Sequence, residues 1–363
     1  MNKEFQISNR QLWFILFIMR TTIIVSTLPV LTTDSLQDAW ISAIITLIGS
    51  ELILLLITVL DTRFPELTII EYSRKLLGKI GGGFLSIIFL WVFLQFSVLE
   101  LRIYAEVLKT AFLPRTPIFF IAMIMVLAAT ICVYNGIETL ARSADILFFL
   151  YIIMLLFILF IPLTDFEPGN LAPVFTRGWG PVVRGSLTPI TYIAQTWVLT
   201  MLSPLSENPK KTMSTALTSV GVSLFVLIIF ALLTIGSLGA YEGARASFPL
   251  LFLIRSIEVT RFLQRTEVLV MFSWGFGLFV SVATYLYAGA MGITQWFNLE
   301  DYRNLVLPMG IIWIFMSVHG FENIFALNTL LTPRIFAVYG IFILVLPLII
   351  LWISYLIKKW RKP

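Results

Sequence analysis

The chain has 363 residues, 59% of them hydrophobic and only 12% charged, with a mean hydropathy of +0.95. A water-soluble fold of this length does not carry that balance, so the sequence describes an all-α integral membrane protein whose working parts lie within the bilayer. The formal charge of +5 and pI near 9.3 would suggest nucleic acid in a soluble protein; here they reflect basic loops on one side of the membrane, and no nucleic-acid partner is expected.

A helix crosses about 30 Å of hydrocarbon with about 20 apolar residues. About ten transmembrane helices are expected, at 11–31, 39–60, 84–108, 118–134, 144–164, 182–203, 214–238, 267–293, 305–321 and 335–357. The opening MNKEFQISNR is polar, and the apolar run after it contains Arg20 and no small-residue cleavage site, so it reads as a retained first span. With the N-terminus inside, the inner segments hold fourteen Lys and Arg and the outer ones nine, which places both termini in the cytoplasm. Ten spans divide into five and five, and an odd unit used twice in succession must be inverted. Two inverted five-helix repeats are therefore expected, at about 11–164 and 182–357 within a single membrane domain, 1–363.

In span one, RTTIIVSTLP sets Thr21, Thr22, Ser26 and Thr27 ahead of Pro29. In span six, GSLTPITYIAQT sets Thr188, Thr191, Tyr192, Gln195 and Thr196 around Pro189. Proline removes a backbone donor and frees a carbonyl, so these two spans are the expected broken helices. Clustered hydroxyls there either bond back to their own helix or coordinate a ligand.

Charges inside a membrane mark a pathway, a partner or a site. Arg20, Glu51, Glu100, Arg102, Glu106 and Asp145 are the candidates. Arg102 and Glu106 stand four apart and can form a structural ion pair on one helical face. Arg20 has no opposite charge within a turn and needs a partner on another helix, such as Glu51 or Glu100, or a bound carboxylate. Between spans seven and eight, an amphipathic helix on the outer face is expected at about 248–264, where Arg255, Glu258, Arg261 and Arg265 recur every three or four residues. It either rests on lipid, covers an outward cavity or docks a partner. Span eight, SWGFGLFVSVATYLYAG, combines glycines with Trp274, Phe276, Ser281, Thr284 and Tyr285, as packing or as a pocket wall. No enzyme motif is present, and lone Cys132 and His319 are expected to pack rather than to bind metal.

The opening ISNRQLWFILF, the segment SPLSENPKK and the stretch SFPLLFLIRSIEVTRFLQRTEVLVMFSWGFGLFVSVATYLY resemble the B subunits of bacterial endospore germinant receptors. These are related to permeases of the amino acid, polyamine and organocation superfamily. Pro249, Arg255, Ile257, Phe262, Arg265, Glu267 and Trp274 carry the most specific part of the likeness. The resemblance implies a germinant sensor of the spore inner membrane that binds a small nutrient such as an amino acid. It also implies a membrane-embedded A subunit and a lipid-anchored C subunit as partners, with no cofactor or metal. The implied pocket residues are Thr22 and Ser26 in span one, Gln95 and Leu99 in span three, Tyr192 and Gln195 in span six, and Phe276, Val280 and Thr284 in span eight. Permeases of that superfamily usually carry glycines at the span-one break, and RTTIIVSTLP has none. The alternative function is a secondary transporter for a small zwitterion; the scaffold serves both.

Overall fold

The computed structural model describes residues 6–256 and 267–360. The chain enters through Ile7, which exchanges backbone hydrogen bonds with Leu205 and Glu207 at 2.9 and 3.0 Å. Ser8 and Gln11 then form a capping box that starts α1 (Asn9–Thr22). The helix stops at Ile23 and resumes as α2 (Ile24–Ser35), so span one is broken as expected, but six residues before Pro29, which α2 runs through. The cause is local: Thr21, Thr22 and Thr27 turn their hydroxyls back onto carbonyls of the preceding turn, within a run rich in β-branched residues that form helix poorly.

Leu36, at φ 52°, reverses the chain into α3 (Ala39–Asp61). The Ser35 and Ser42 hydroxyls lie 2.6 Å apart, a distance seven residues along one straight helix could not give. A second capping box, Thr68 with Glu71, opens α4 (Ile69–Ala111), which bends at Gly78 where φ is +78°. After it come α5 (Ile118–Tyr134), α6 (Ile137–Phe160) and α7 (Trp179–Thr191). Past Pro189 the α-helix tightens into a 3-10 turn over Tyr192–Val198 before α8 (Leu199–Leu202), the break expected in span six. The remaining helices are α9 (Thr212–Leu238), α10 (Ala240–Arg245), α11 (Pro249–Ser256), α12 (Glu267–Phe297), α13 (Arg303–His319), α14 (Ile324–Leu330), α15 (Pro333–Gly340) and α16 (Leu346–Trp360), with a π turn at Ile341–Val345.

All ten expected intervals are helical. Among the described residues, by length and composition, six helical runs can cross a membrane, or seven with α13 and α14 joined across their 101° bend. The shortfall has physical causes. Breaks divide spans one and six, α5 has only 17 residues, and the run Ile24–Asp61 counts once although it reverses at Leu36. Phe149, Ile153, Phe157 and Phe160 line one exposed face of α6, and Phe342, Ile349 and Ile353 do so near the C-terminus. Apolar stripes this continuous mark surfaces that meet lipid or another protein.

Of the expected amphipathic helix, α11 shows Leu250, Leu251, Leu253 and Ile254 turned into the protein, with Phe252 and Arg255 exposed. Arg255 caps the end of α4, donating to the Ala111 carbonyl at 3.4 Å and lying over the Phe112 ring. Residues 257–264, including Ile257, Glu258, Arg261 and Phe262, lie outside the described residues, as does Arg265.

α1 packs between α6, α9 and α12, while α12 lies along α4, and α3 joins α7 to α9. The two broken helices are thereby central and the unbroken ones surround them. Ile7, Leu205 and Asp61, which sits beside Ser203, mark one end of the bundle. Ser42, donating to the Val182 carbonyl at 2.8 Å, marks the other.

Candidate functional site

The two breaks meet at Arg20. Its side chain leaves the last turn of α1, is 2% exposed, and donates from Nη2 to the carbonyl of Pro189 at 3.1 Å, just before the 3-10 turn. Nε and Nη1 have no hydrogen-bond partner. Glu51 from α3, Glu100 from α4, Tyr192 from the 3-10 turn and Tyr285 from α12 are the charged and phenolic groups in electrostatic range. None of the ion pairs among the described residues includes Arg20, Glu51 or Glu100.

The unpaired polar atoms extend through this region. Both carboxylate oxygens of Glu100, Oε1 of Glu51 and of Gln195, the hydroxyls of Tyr192 and Tyr285, and Ser281 Oγ beside Glu100 are all buried without a hydrogen-bond partner. Each unsatisfied buried polar group costs about 1–3 kcal/mol, and more if charged. Buried polar atoms in native proteins are otherwise almost always bonded. Arg20, Glu51, Glu100, Tyr192 and Tyr285, with Ser281 beside Glu100, thus form a buried polar cluster, the chamber, whose free groups suit a ligand with both donors and acceptors. Gly221 opens space for Glu51, whose Oε1 lies 3.3 Å from where a Cβ would stand.

The residues named from the sequence divide between this chamber and other surroundings. Tyr192 is fully buried between Phe96 and Phe336, with ring centroids at 5.4 and 5.0 Å, and Ser26 lies beside its hydroxyl. Gln195 follows three residues later, and in a 3-10 turn such residues share one face. Leu99 and Val280 are fully buried, adding apolar wall only. Thr22 and Thr284 return their hydroxyls to Ile18 and Val280 carbonyls, both at 2.6 Å. Gln95 accepts from the Tyr339 hydroxyl, which itself accepts from the Trp91 indole at 2.6 Å, on the side of α4 that meets α15. Phe276 is half-buried and leans on Phe272 at 6.3 Å.

Arg102 and Glu106 form the expected ion pair, at 2.7 Å, and Arg102 also donates to the carbonyls of Ser317 and Val318 at 3.0 and 2.7 Å. It ties α4 to the end of α13 and satisfies carbonyls a helix terminus leaves open. Asp145 pairs with Arg10 at 3.2 Å and accepts from Gln11 at 2.9 Å.

Outside the pocket set implied by the resemblance stand Arg20, Glu51 and Glu100, expected as ion-pair candidates. So do Ser281 and Tyr285, expected as packing or as a pocket wall. They stand four apart on α12, a spacing that marks one face, but the surrounding sequence is apolar on every face and offers no period to select it. Beyond the chamber, Ser26, Pro29, Thr33 and Asp34 line a cavity of about 290 Å³ with Arg245 and Phe248, at the Ser42 end of the bundle. Ser26 touches both, so the cavity is the approach to the chamber from that side. Among the described residues no group of three or more His, Cys, Asp or Glu can hold a metal ion.

Residues 6–325 match the model of a family described as "Spore germination protein". The chain is 28% identical over 342 residues to spore germination protein YndE of Bacillus subtilis (strain 168), covering 93% of this chain and 92% of that one. It is 27% identical to spore germination protein KB of the same organism, covering 78% and 77%. Spore germination protein GerQB of Bacillus cereus is 24% identical, covering 82% and 81%. Among solved structures, MhsT in complex with L-phenylalanine superposes with TM-score 0.68 at 15% identity, over 94% of this chain and 89% of that one. A substrate-bound Na+-coupled sialic acid symporter gives 0.67 at 12% identity, over 88% and 75%. At such identities the likeness is one of fold: a transporter scaffold.

Proposed function

The chain belongs to the spore germination protein family, and from that premise we propose that its polar chamber is where a germinant binds. The protein is a multi-pass membrane protein of the germinant-sensing, permease-like kind. The observation that carries the ligand reading is the convergence of Arg20, Glu100, Tyr192 and Tyr285, buried and incompletely bonded, where two broken helices meet. A zwitterion matches it: a carboxylate facing the free Nε and Nη1 of Arg20, an ammonium facing Glu100, and an apolar side chain against Phe96 and Phe336. Tyr192, Gln195 and Ser26 complete the polar wall. Thr22, Leu99, Val280 and Thr284 shape the helices around it, while Gln95 and Phe276 belong to its periphery. Nothing else in the molecule pairs a free guanidinium with a free carboxylate in this way among the described residues.

Sensing then follows from differential affinity: a ligand that bridges α1, α4 and the 3-10 turn favours whichever arrangement of those elements it fits better. The resemblance to receptor B subunits supports partnership with an A subunit and a lipid-anchored C subunit in the spore inner membrane. The basic residues of the inner segments support cytoplasmic termini, which makes the Ile7 end cytoplasmic. The five-and-five division into inverted repeats, 11–164 and 182–357, agrees with α1 and the α7–α8 pair being the two broken helices.

Spores lacking this gene, tested against amino acids, nucleosides and sugars, should lose response to one nutrient. Wild type should restore it, and Arg20→Gln or Tyr192→Ala at equal protein abundance should not. Full rescue by both variants would remove the chamber from the proposal. The transporter reading is favoured by a cavity at each end of the bundle; accumulation of labelled nutrient in proteoliposomes would establish it, and saturable binding without accumulation would leave a sensor.

A further inference from the structure

The cavity at the Ile7 end encloses about 450 Å³ between the α5–α6 turn, the last turns of α12 and the loop into α13. It shares no lining residue with the Ser26 cavity. Two of its walls are tyrosines: Tyr287 and Tyr302 meet edge to face with centroids 5.3 Å apart. Tyr302 is pinned, its hydroxyl donating to the Val133 carbonyl at 3.3 Å. Tyr287 is 2% exposed, and its hydroxyl makes no hydrogen bond among the described residues. Met291 adds a polarizable wall.

The rim is acidic. Asp301 faces Arg303 at 3.6 Å, and Arg303 is further held by the Tyr134 carbonyl at 3.0 Å. Glu300 is exposed and has no partner among the described residues. Two carboxylates against one guanidinium leave one negative charge unbalanced at the mouth of an aromatic cavity. That combination is unfavourable for an anion. A bare divalent ion needs more oxygen ligands than two carboxylates that form no larger acidic group. An organic ammonium suits it: Arg303 already lies over the Tyr302 ring, 5.7 Å from its centroid, which leaves the Tyr287 ring to attract a cation, the Met291 thioether contacts its methylene groups, and the Tyr287 hydroxyl oxygen can accept its N–H.

We infer that this cavity is a second binding site, separate from the Arg20 chamber, for a small primary ammonium group, with Glu300 as counter-ion and the Tyr287 hydroxyl as acceptor. The cavity opens at the end of membrane-spanning helices, so the ammonium is supplied either by a soluble amine or by the headgroup of an aminophospholipid.

The test uses the full-length protein in nanodiscs of phosphatidylglycerol, titrated calorimetrically with ethanolamine and, as neutral control, ethylene glycol. Saturable binding of ethanolamine alone is expected. Glu300→Gln, at an exposed position whose intact fold is checked by thermal unfolding, should weaken it at least tenfold, and Tyr287→Phe several-fold. Loss in either variant assigns the amine to this cavity. Repeating the titration with phosphatidylethanolamine in the disc separates the sources: loss of ethanolamine binding identifies the headgroup as occupant, and retained binding identifies a soluble amine. No saturable binding to folded wild type, or unchanged affinity in both variants, would overturn the inference.

Discussion

Two buried arginines in this bundle are held in opposite ways, and the contrast yields a prediction. Arg102 is ion-paired to Glu106 and caps two carbonyls; Arg20 makes one hydrogen bond and leaves two donors free. Removing one partner of a satisfied buried pair strands the other, at about 3–5 kcal/mol. Neutralising a carboxylate that has no partner relieves a cost, about 1–3 kcal/mol. Arg102→Met should therefore lower the thermal midpoint in detergent by many degrees, whereas Glu100→Gln should raise it while weakening nutrient binding more than tenfold. Stability gained as binding is lost is the expected mark of a residue kept for function, and a Glu100→Gln variant that lost both would instead make Glu100 structural. Arg20 was legible in the sequence because an intramembrane arginine with no acid within a turn is conspicuous, and Glu51 and Glu100 followed as its neighbours. Tyr285 was legible only as packing or pocket wall, since α12 is hydrophobic all round and its inward face is chosen by packing against α4 and α1, which no periodicity records.

At the scale of elements, the two broken helices could be read in advance because their causes are local: clustered hydroxyls in span one and Pro189 in span six act within a turn of themselves, whereas Pro29 lies inside α2. The closeness of α1 to α12 could not, because it depends on residues 255 positions apart. Thr22 Oγ1 occupies the space where a Cβ on Gly277 would stand, and Thr22 Cβ lies 3.1 Å from that point. Gly277→Ala must push the helices apart, which in a packed core costs about 1–3 kcal/mol. We expect a lower thermal midpoint for Gly277→Ala and at least half the loss recovered in the double variant with Thr22→Ala, measured as a double-mutant cycle. Additive losses would show that the glycine serves something other than this contact. The amphipathic helix after α10 was half legible: the heptad-like charges marked a helix with an apolar side, but whether that side meets lipid or protein depends on the ends of α4 and α9, against which α11 lies.

For the whole molecule, hydropathy alone identified a polytopic helical protein, yet it counts apolar length and cannot see that Leu36 divides one apolar helical run into two helices or that the 3-10 turn splits another. The arrangement that results sets one cavity at each end of the bundle and the unpaired charges of Arg20 and Glu100 between them. A ligand bound at this closed, polar midpoint can favour opening toward one end over the other only if its contacts differ between the two forms. In a Cys132→Ser background, which removes the buried native thiol, Thr33→Cys reports the cavity at the Ser42 end and Met291→Cys the cavity at the Ile7 end. In sealed right-side-out vesicles an impermeant maleimide should label Thr33→Cys directly and Met291→Cys only after permeabilisation, since the Ile7 end is cytoplasmic under the proposed topology. Nutrient should then change the two labelling rates in opposite directions, by about threefold or more if the populations shift by even 0.7 kcal/mol. Both rates falling together would mean a chamber that seals around its ligand, and neither changing would remove the chamber from any link between the two faces.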